Sequence, residues 1–88
     1  MLEPIYTKPF EKDIRIMKKR GKNLEKLKNI IELLSNKVSL PIKYKDHNLV
    51  GNFIGRRECH IEADWLLIYK IDEDSIIFYR TGTHSDLF

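Results

Sequence analysis

Residues 53–82 read FIGRRECHIEADWLLIYKIDEDSIIFYRTG, and the alternation within this stretch decides the fold. Apolar, β-branched and aromatic residues fall in three runs, separated by the short polar breaks EAD and DEDS. That pattern predicts strands over about Phe53–Ile61, Trp65–Ile71 and Ile76–Gly82, joined by tight turns into an antiparallel meander. WLLIYKI (65–71) is apolar on both parities, as expected of a central strand covered on both sides. In a meander the end of the first strand, the start of the second and the end of the third share one edge of the sheet. His60, Asp64, Trp65 and His84 are therefore expected near one another. Alternation puts Glu58 and His60 on one face, and Arg80 and His84 on one face of their own strand.

Working outward, LEPIYTK (2–8) reads as an edge strand, because Pro4 lacks the donor an interior strand needs. Pro9 suits the first turn of a helix, Phe10, Ile14 and Met17 recur at helical spacing, and KKRG (18–21) supplies last-turn cations and a left-handed stop at Gly21. Asn23 can cap a second helix, whose stripe of Leu24, Leu27, Ile30, Ile31 and Leu34 leaves Lys22, Lys26, Lys28 and Lys37 outside. The two helices form an antiparallel hairpin that needs a sheet to cover. Residues 36–52, including SLPIKYKDHNLVGN (39–52), keep neither periodicity and are expected to be a long loop, a feature more often functional than idle. The expected fold class is α+β: one domain over residues 1–88, with an N-terminal strand and a helical hairpin packed on a mostly antiparallel four-stranded sheet.

Composition narrows the class of protein. The 88 residues are 42% hydrophobic and 33% charged, a globular balance unlike that of disordered or membrane-spanning chains. No apolar stretch approaches the ~20 residues of a membrane helix, and MLEPIYTKPF lacks the basic start and apolar centre of a secretory signal, so a cytoplasmic protein with no membrane partner is expected. The single cysteine, Cys59, has no internal partner, in keeping with a reducing compartment. Charge is uneven: residues 1–45 carry 12 Lys and Arg against 5 Asp and Glu, hence +7, while residues 46–88 carry 4 against 8, hence −4. A basic first half suits a polyanion or an acidic protein partner, and equally a solvated lysine-rich helix surface.

The three histidines, His47, His60 and His84, all fall in the second half at loop or strand-end positions. A pair of imidazoles is what phosphodiester cleavage at neutral pH requires, one to take a proton and one to give a proton to the leaving oxygen. RNA brings its own nucleophile, the 2′-hydroxyl, so neither a metal nor a serine is obligatory. Arg80 is placed to neutralise charge on a phosphorane-like transition state, and Asp64 to orient an imidazole. Each has a plainer reading: structural histidines, a core Trp65 rather than a base-stacking one, a Phe88 packed back on the sheet, and Glu58 and Glu62 on a solvated strand face. A metal site is disfavoured, since Cys59 and His60 are strand neighbours pointing to opposite faces and no Cys-x-x-Cys or His-Glu-x-x-His spacing occurs. A phosphate-binding glycine loop and a Gly-x-Ser-x-Gly elbow are also missing from the sequence.

YKDHNLVGNFIGRRECHIEADWLLIYKID (44–72) followed by FYRTGTHSDLF (78–88) resembles the YafQ branch of the RelE-like toxins, ribosome-dependent mRNA endonucleases of toxin–antitoxin pairs. DH-x-L-x-G, R-x-x-H-I-x-x-D-W-x-L-I-Y-K and R-T-G-T-H-x-x-L-F carry the likeness jointly. The resemblance implies two N-terminal helices against a sheet of the microbial ribonuclease type. It implies a site of His47, His60, Asp64, His84 and Phe88, with Trp65 beside them and Arg80 and Glu58 in secondary roles. His84 is the first choice for general acid or base, His60 its partner, and Phe88 a residue that positions RNA. The implied partners are a cognate antitoxin, mRNA and the ribosome, with no small-molecule cofactor. Ala63 stands where relatives often carry proline and Glu58 where an aspartate is common. A non-catalytic RNA- or protein-binding relative of the same fold is the alternative.

Overall fold

The computed structural model describes residues 1–51 and 55–88. In chain order it contains β1 (Glu3–Tyr6), α1 (Lys8–Lys19), α2 (Leu24–Ser35), a 3-10 turn (Ile42–Tyr44), β2 (His47–Asn48), β3 (Arg57–Glu62), β4 (Trp65–Asp72), β5 (Ser75–Gly82) and α3 (His84–Leu87). The strands form one sheet in the order β1-β5-β4-β3-β2. β1 runs parallel to β5 and every other pair is antiparallel. The meander and the edge position expected of the first strand are present. The start expected for β3 at Phe53 lies outside the described residues.

The helix boundaries follow from local chemistry. Thr7 Oγ1 accepts from Phe10 N at the start of α1, Pro9 sits in the first turn, and the Thr7 hydroxyl donates to Tyr79 O at 2.9 Å, tying the helix start to β5. Asn23 caps α2 by accepting from Glu25 N. Between the helices Gly21 has φ +81°, a left-handed value that a side chain would strain.

The two helices cover one face of the sheet. Phe10 and Met17 from α1 and Leu27, Ile30 and Leu34 from α2 pack with Leu2, Cys59, Ile61, Trp65, Leu67, Tyr69, Ile76 and Phe78. Burying each large side chain here is worth about 1.5–3 kcal/mol before ordering costs. Registers Cys59↔Leu67 and Arg57↔Tyr69 put these residues on the helix side, and Glu58↔Ile68 and His60↔Leu66 put the intervening ones on the other.

Three expectations are corrected. The sheet has five strands rather than four, because His47–Asn48 pairs with Arg57–Glu58 as a two-residue edge strand. The segment 36–52 is accordingly not a plain loop, and the 3-10 turn precedes that strand. His84 does not extend β5. Thr83 ends the strand by opening α3, where its side chain accepts from Asp86 N while Asp86 Oδ2 accepts from Thr83 N, a reciprocal cap.

Candidate active site

The face opposite the helical hairpin carries the histidines. Register aligns His47 with Glu58 across β2 and β3, and His60 with Leu66 and then Gly82 across β3, β4 and β5. α3 starts just past Gly82 and brings in the third imidazole. The ring centroids of His47 and His60 are 6.3 Å apart and those of His60 and His84 are 5.8 Å apart, so His60 is the middle of a row. Residues far apart in the chain thus converge at one sheet edge, as the meander predicts.

Each imidazole has its own partner. His84 Nδ1 lies 2.6 Å from Asp64 Oδ1, and the same oxygen accepts the His84 backbone N–H at 2.9 Å. These two bonds from His84 hold the Asp64 carboxyl below the usual carboxylate range, the backbone one contributing more. His47 Nδ1 donates to Lys45 O at 2.6 Å, since a carbonyl can only accept. In both rings Nδ1 is occupied, and Nε2 is the nitrogen left for chemistry. Glu58 Oε1 stands 3.5 Å from Nε2 of both His47 and His60, at ion-pair range rather than in a tight hydrogen bond. Its side chain is 7% exposed. A carboxylate so placed complements positive charge on whichever ring holds the proton. Glu58 is therefore a buried partner of two imidazoles, not part of a solvated strand face.

The scaffold around the row is polar and tightly bonded. Arg57 grips both chain neighbours of His47, with Nε 3.2 Å from Asp46 Oδ1 and Nη1 2.7 Å from Asn48 Oδ1, and the Tyr69 hydroxyl donates to the same Asp46 oxygen at 2.6 Å. Burial and that bond push the Tyr69 hydroxyl well above its ordinary pKa. At the other end Arg20, just past α1, pairs with Asp86 of α3 at 2.6 and 3.0 Å and lowers its carboxyl further than any other contact does. A Cβ on Gly82 would meet Asp86 Oδ2 at 2.9 Å, so a side chain there would push the Asp86 carboxylate out of its cap on Thr83. Phe88, whose backbone N–H donates to His84 O at 2.9 Å, is the C-cap of α3, one turn from His84, and the residue is 58% exposed.

Two expected contributors lie elsewhere. Trp65 is fully buried and donates Nε1–H to Thr81 Oγ1 at 2.9 Å, so it offers no face to a base and belongs to the core. Arg80 shares a register row with Glu58 and Ile68, yet its guanidinium pairs with Asp13 of α1 at 2.7 and 3.2 Å. Asp13 Oδ2 also accepts Thr81 N, so this buried carboxylate fixes the last residues of β5. Asp13 is the residue the sequence reading missed; a charged residue three after Phe10 and four before Met17, on the buried stripe, was the available signal. The other strand glutamate, Glu62, holds Lys22 and Lys26, both at 2.9 Å. Cys59 faces the core, and burial raises its thiol pKa far above the ordinary value, which leaves it inert as a nucleophile. Among the described residues no group of three or more His, Cys, Asp or Glu is placed to hold a metal ion, and no helix is long and apolar enough to cross a membrane.

An α+β domain that backs its sheet with a helical hairpin and keeps a row of carboxylate-partnered imidazoles on the other face has the kinds of group that proton transfer uses. Comparison with known proteins gives that class a family. The profile described as "Bacterial toxin of type II toxin-antitoxin system, YafQ" matches residues 2–88. The mRNA interferase toxin YafQ of Escherichia coli K12 is 45% identical over 84 residues, covering 94% of this chain and 91% of that protein. Among solved structures, a copper-bound mutant toxin from Helicobacter pylori superposes with TM-score 0.96 at 36% identity over all of both chains. The toxin chain in the E. coli DinJ-YafQ complex superposes with TM-score 0.92 at 43% identity, covering 100% of this chain and 99% of that one. The chain belongs to the YafQ family of bacterial toxins of type II toxin–antitoxin systems.

Proposed function

We propose that this protein is an mRNA interferase, an endoribonuclease that cuts mRNA on the ribosome in the cytoplasm and is neutralised by a cognate antitoxin. The observation that carries the reading is the row of His47, His60 and His84, with adjacent ring centroids 6.3 and 5.8 Å apart. A scissile phosphate seated against the row meets a proton acceptor for the 2′-hydroxyl and a proton donor for the departing 5′-oxygen. The reaction gives a 2′,3′-cyclic phosphate or 3′-phosphate and a 5′-hydroxyl. His84, oriented by Asp64, takes one proton-transfer role, and His60 takes the other. Glu58 complements charge on His60 and His47, while Phe88 positions a neighbouring base. Arg80 keeps a secondary part: Asp13 holds its Nε and Nη2, and its side chain is 39% exposed. This chemistry needs no metal ion.

The relatives support the assignment: the E. coli protein is named an mRNA interferase, and its toxin was solved with DinJ. The +7 charge of residues 1–45 gives ribosomal RNA and an acidic antitoxin segment the same electrostatic reason to bind. The test is to map mRNA ends in a translating extract with wild type and His84→Ala, checking both folds by circular dichroism. Cutting by the wild type alone supports an enzyme; RNA binding without cutting by either protein supports the non-catalytic alternative.

A further inference from the structure

Beside the histidine row lies a cavity of about 440 Å³, bounded by α2, by the 3-10 turn and by the end of β3 with its turn into β4. His60 is among the residues that line it, so the row and the cavity share one residue. Its size lies within the range of small-ligand pockets, which runs from about 300 Å³ upward. The lining is mixed. Ile30 and Ile61 make an apolar floor, Asn29 contributes a primary amide from the exposed side of α2, and Lys43, Tyr44 and Lys45 form the opposite wall. Lys43 Nζ lies 5.1 Å from the Tyr44 ring centroid, which puts a cation and an aromatic surface on one wall. Lys26, also in the lining, is held by Glu62 at 2.9 Å, so the cations of the 3-10 turn are the ones to meet an incoming anion. His47 is joined to that same wall through Lys45 O.

We infer that this cavity is a nucleotide subsite, which seats one RNA base next to the scissile phosphate. The inference rests on the endoribonuclease reading above and adds where sequence preference comes from. Each wall matches a part of a nucleotide. Tyr44, partly packed on the core with Lys43 Nζ over its ring, offers an aromatic edge to a base, the Asn29 amide offers both donors and an acceptor to a base edge, and Lys43 and Lys45 offer charge to the adjoining phosphate. An RNA strand that crosses the histidine row passes His60, the residue that the row and the cavity have in common.

The experiment maps cut sites at nucleotide resolution in a translating extract, using a reporter mRNA library and wild type, Asn29→Ala and Lys43→Ala. Both substitutions lie on exposed positions, and thermal unfolding of each variant is recorded alongside. Asn29→Ala is expected to flatten the base preference at one position flanking the cut and to slow cutting at preferred sites by roughly tenfold, the size of one lost hydrogen bond. Lys43→Ala is expected to slow cutting at all sites, with a shallower salt dependence. If the wild type cuts and Asn29→Ala shows the same preference at every flanking position, the subsite is refuted while the enzyme stands. If the wild type cuts nothing, the enzyme reading falls and takes the subsite with it.

Discussion

The two faces of the sheet are made from alternate residues of the same strands, and their chemistry is opposite. On one side Cys59, Leu67 and Phe78 disappear beneath the helical hairpin; on the other, one residue along, the buried Glu58 and the largely covered His60 carry a row completed by the more exposed His47 and His84 at its ends. The difference teaches how a chain of 88 residues holds a buried carboxylate and three imidazoles without losing its fold. The main core lies on one parity and the imidazoles on the other, where Leu66 and Ile68 are buried beneath them, so a one-residue register slip would exchange the two sets. The row is extended beyond the strands by two short elements, each tied back by a charged clasp: Arg57 with Asp46 and Asn48 for His47, and Arg20 with Asp86 for α3.

If that division is right, substitutions on the two parities separate activity from stability. The largest effect is expected for His84→Ala, whose cleavage rate in a translating extract should fall by about 10² to 10⁴, with the melting temperature almost unchanged. Trp65→Ala, on the other parity, should cost about 3–5 kcal/mol in urea unfolding, a large share of the ~5–15 kcal/mol available to a small domain. A Trp65 variant that loses cleavage while keeping its stability would break the comparison.

Smaller changes sharpen it. Asp64→Asn keeps an oxygen that accepts the His84 backbone N–H but removes the charge facing the ring; a drop of roughly tenfold in kcat at unchanged KM is expected from single-turnover kinetics. Asp86→Asn should lower the melting temperature at pH 7 by about 4 °C or less, as suits a partly exposed ion pair. The sign of its pH dependence follows from the lowered Asp86 carboxyl: its contribution is full above the ordinary carboxylate pKa and lost as pH falls below ~4. The wild-type advantage over Asp86→Asn should therefore shrink in acid, which melting curves from pH 7 to pH 3 can follow.

Periodicity made most of the fold legible. β4 announces itself by being apolar on both parities, and the Pro9, Gly21 and Asn23 signals bound the helices where the structure has them. β2 was not legible, because a two-residue strand in the polar run KDHN owes its existence to Arg57 and Tyr69, which lie elsewhere in the sequence. The α3 turn did leave a signature, Thr83-x-x-Asp86, although so short a helix has no apolar stripe to draw attention to it. In the site, the convergence of His60, Asp64 and His84 follows from strand order alone. The roles of Trp65 and Arg80 did not follow, since alternation says which face a residue takes and nothing about whether Thr81 or Asp13 will claim its polar group.

The central claim is that the histidine row moves protons for an attack by the RNA's own 2′-hydroxyl. The most direct measurement gives ribosomes programmed with mRNA carrying a single 2′-deoxy nucleotide at the mapped cut site to the wild-type protein. The account predicts that this bond survives while the all-ribose message is cut to a 5′-hydroxyl end; equal cutting of both messages at that bond would contradict it.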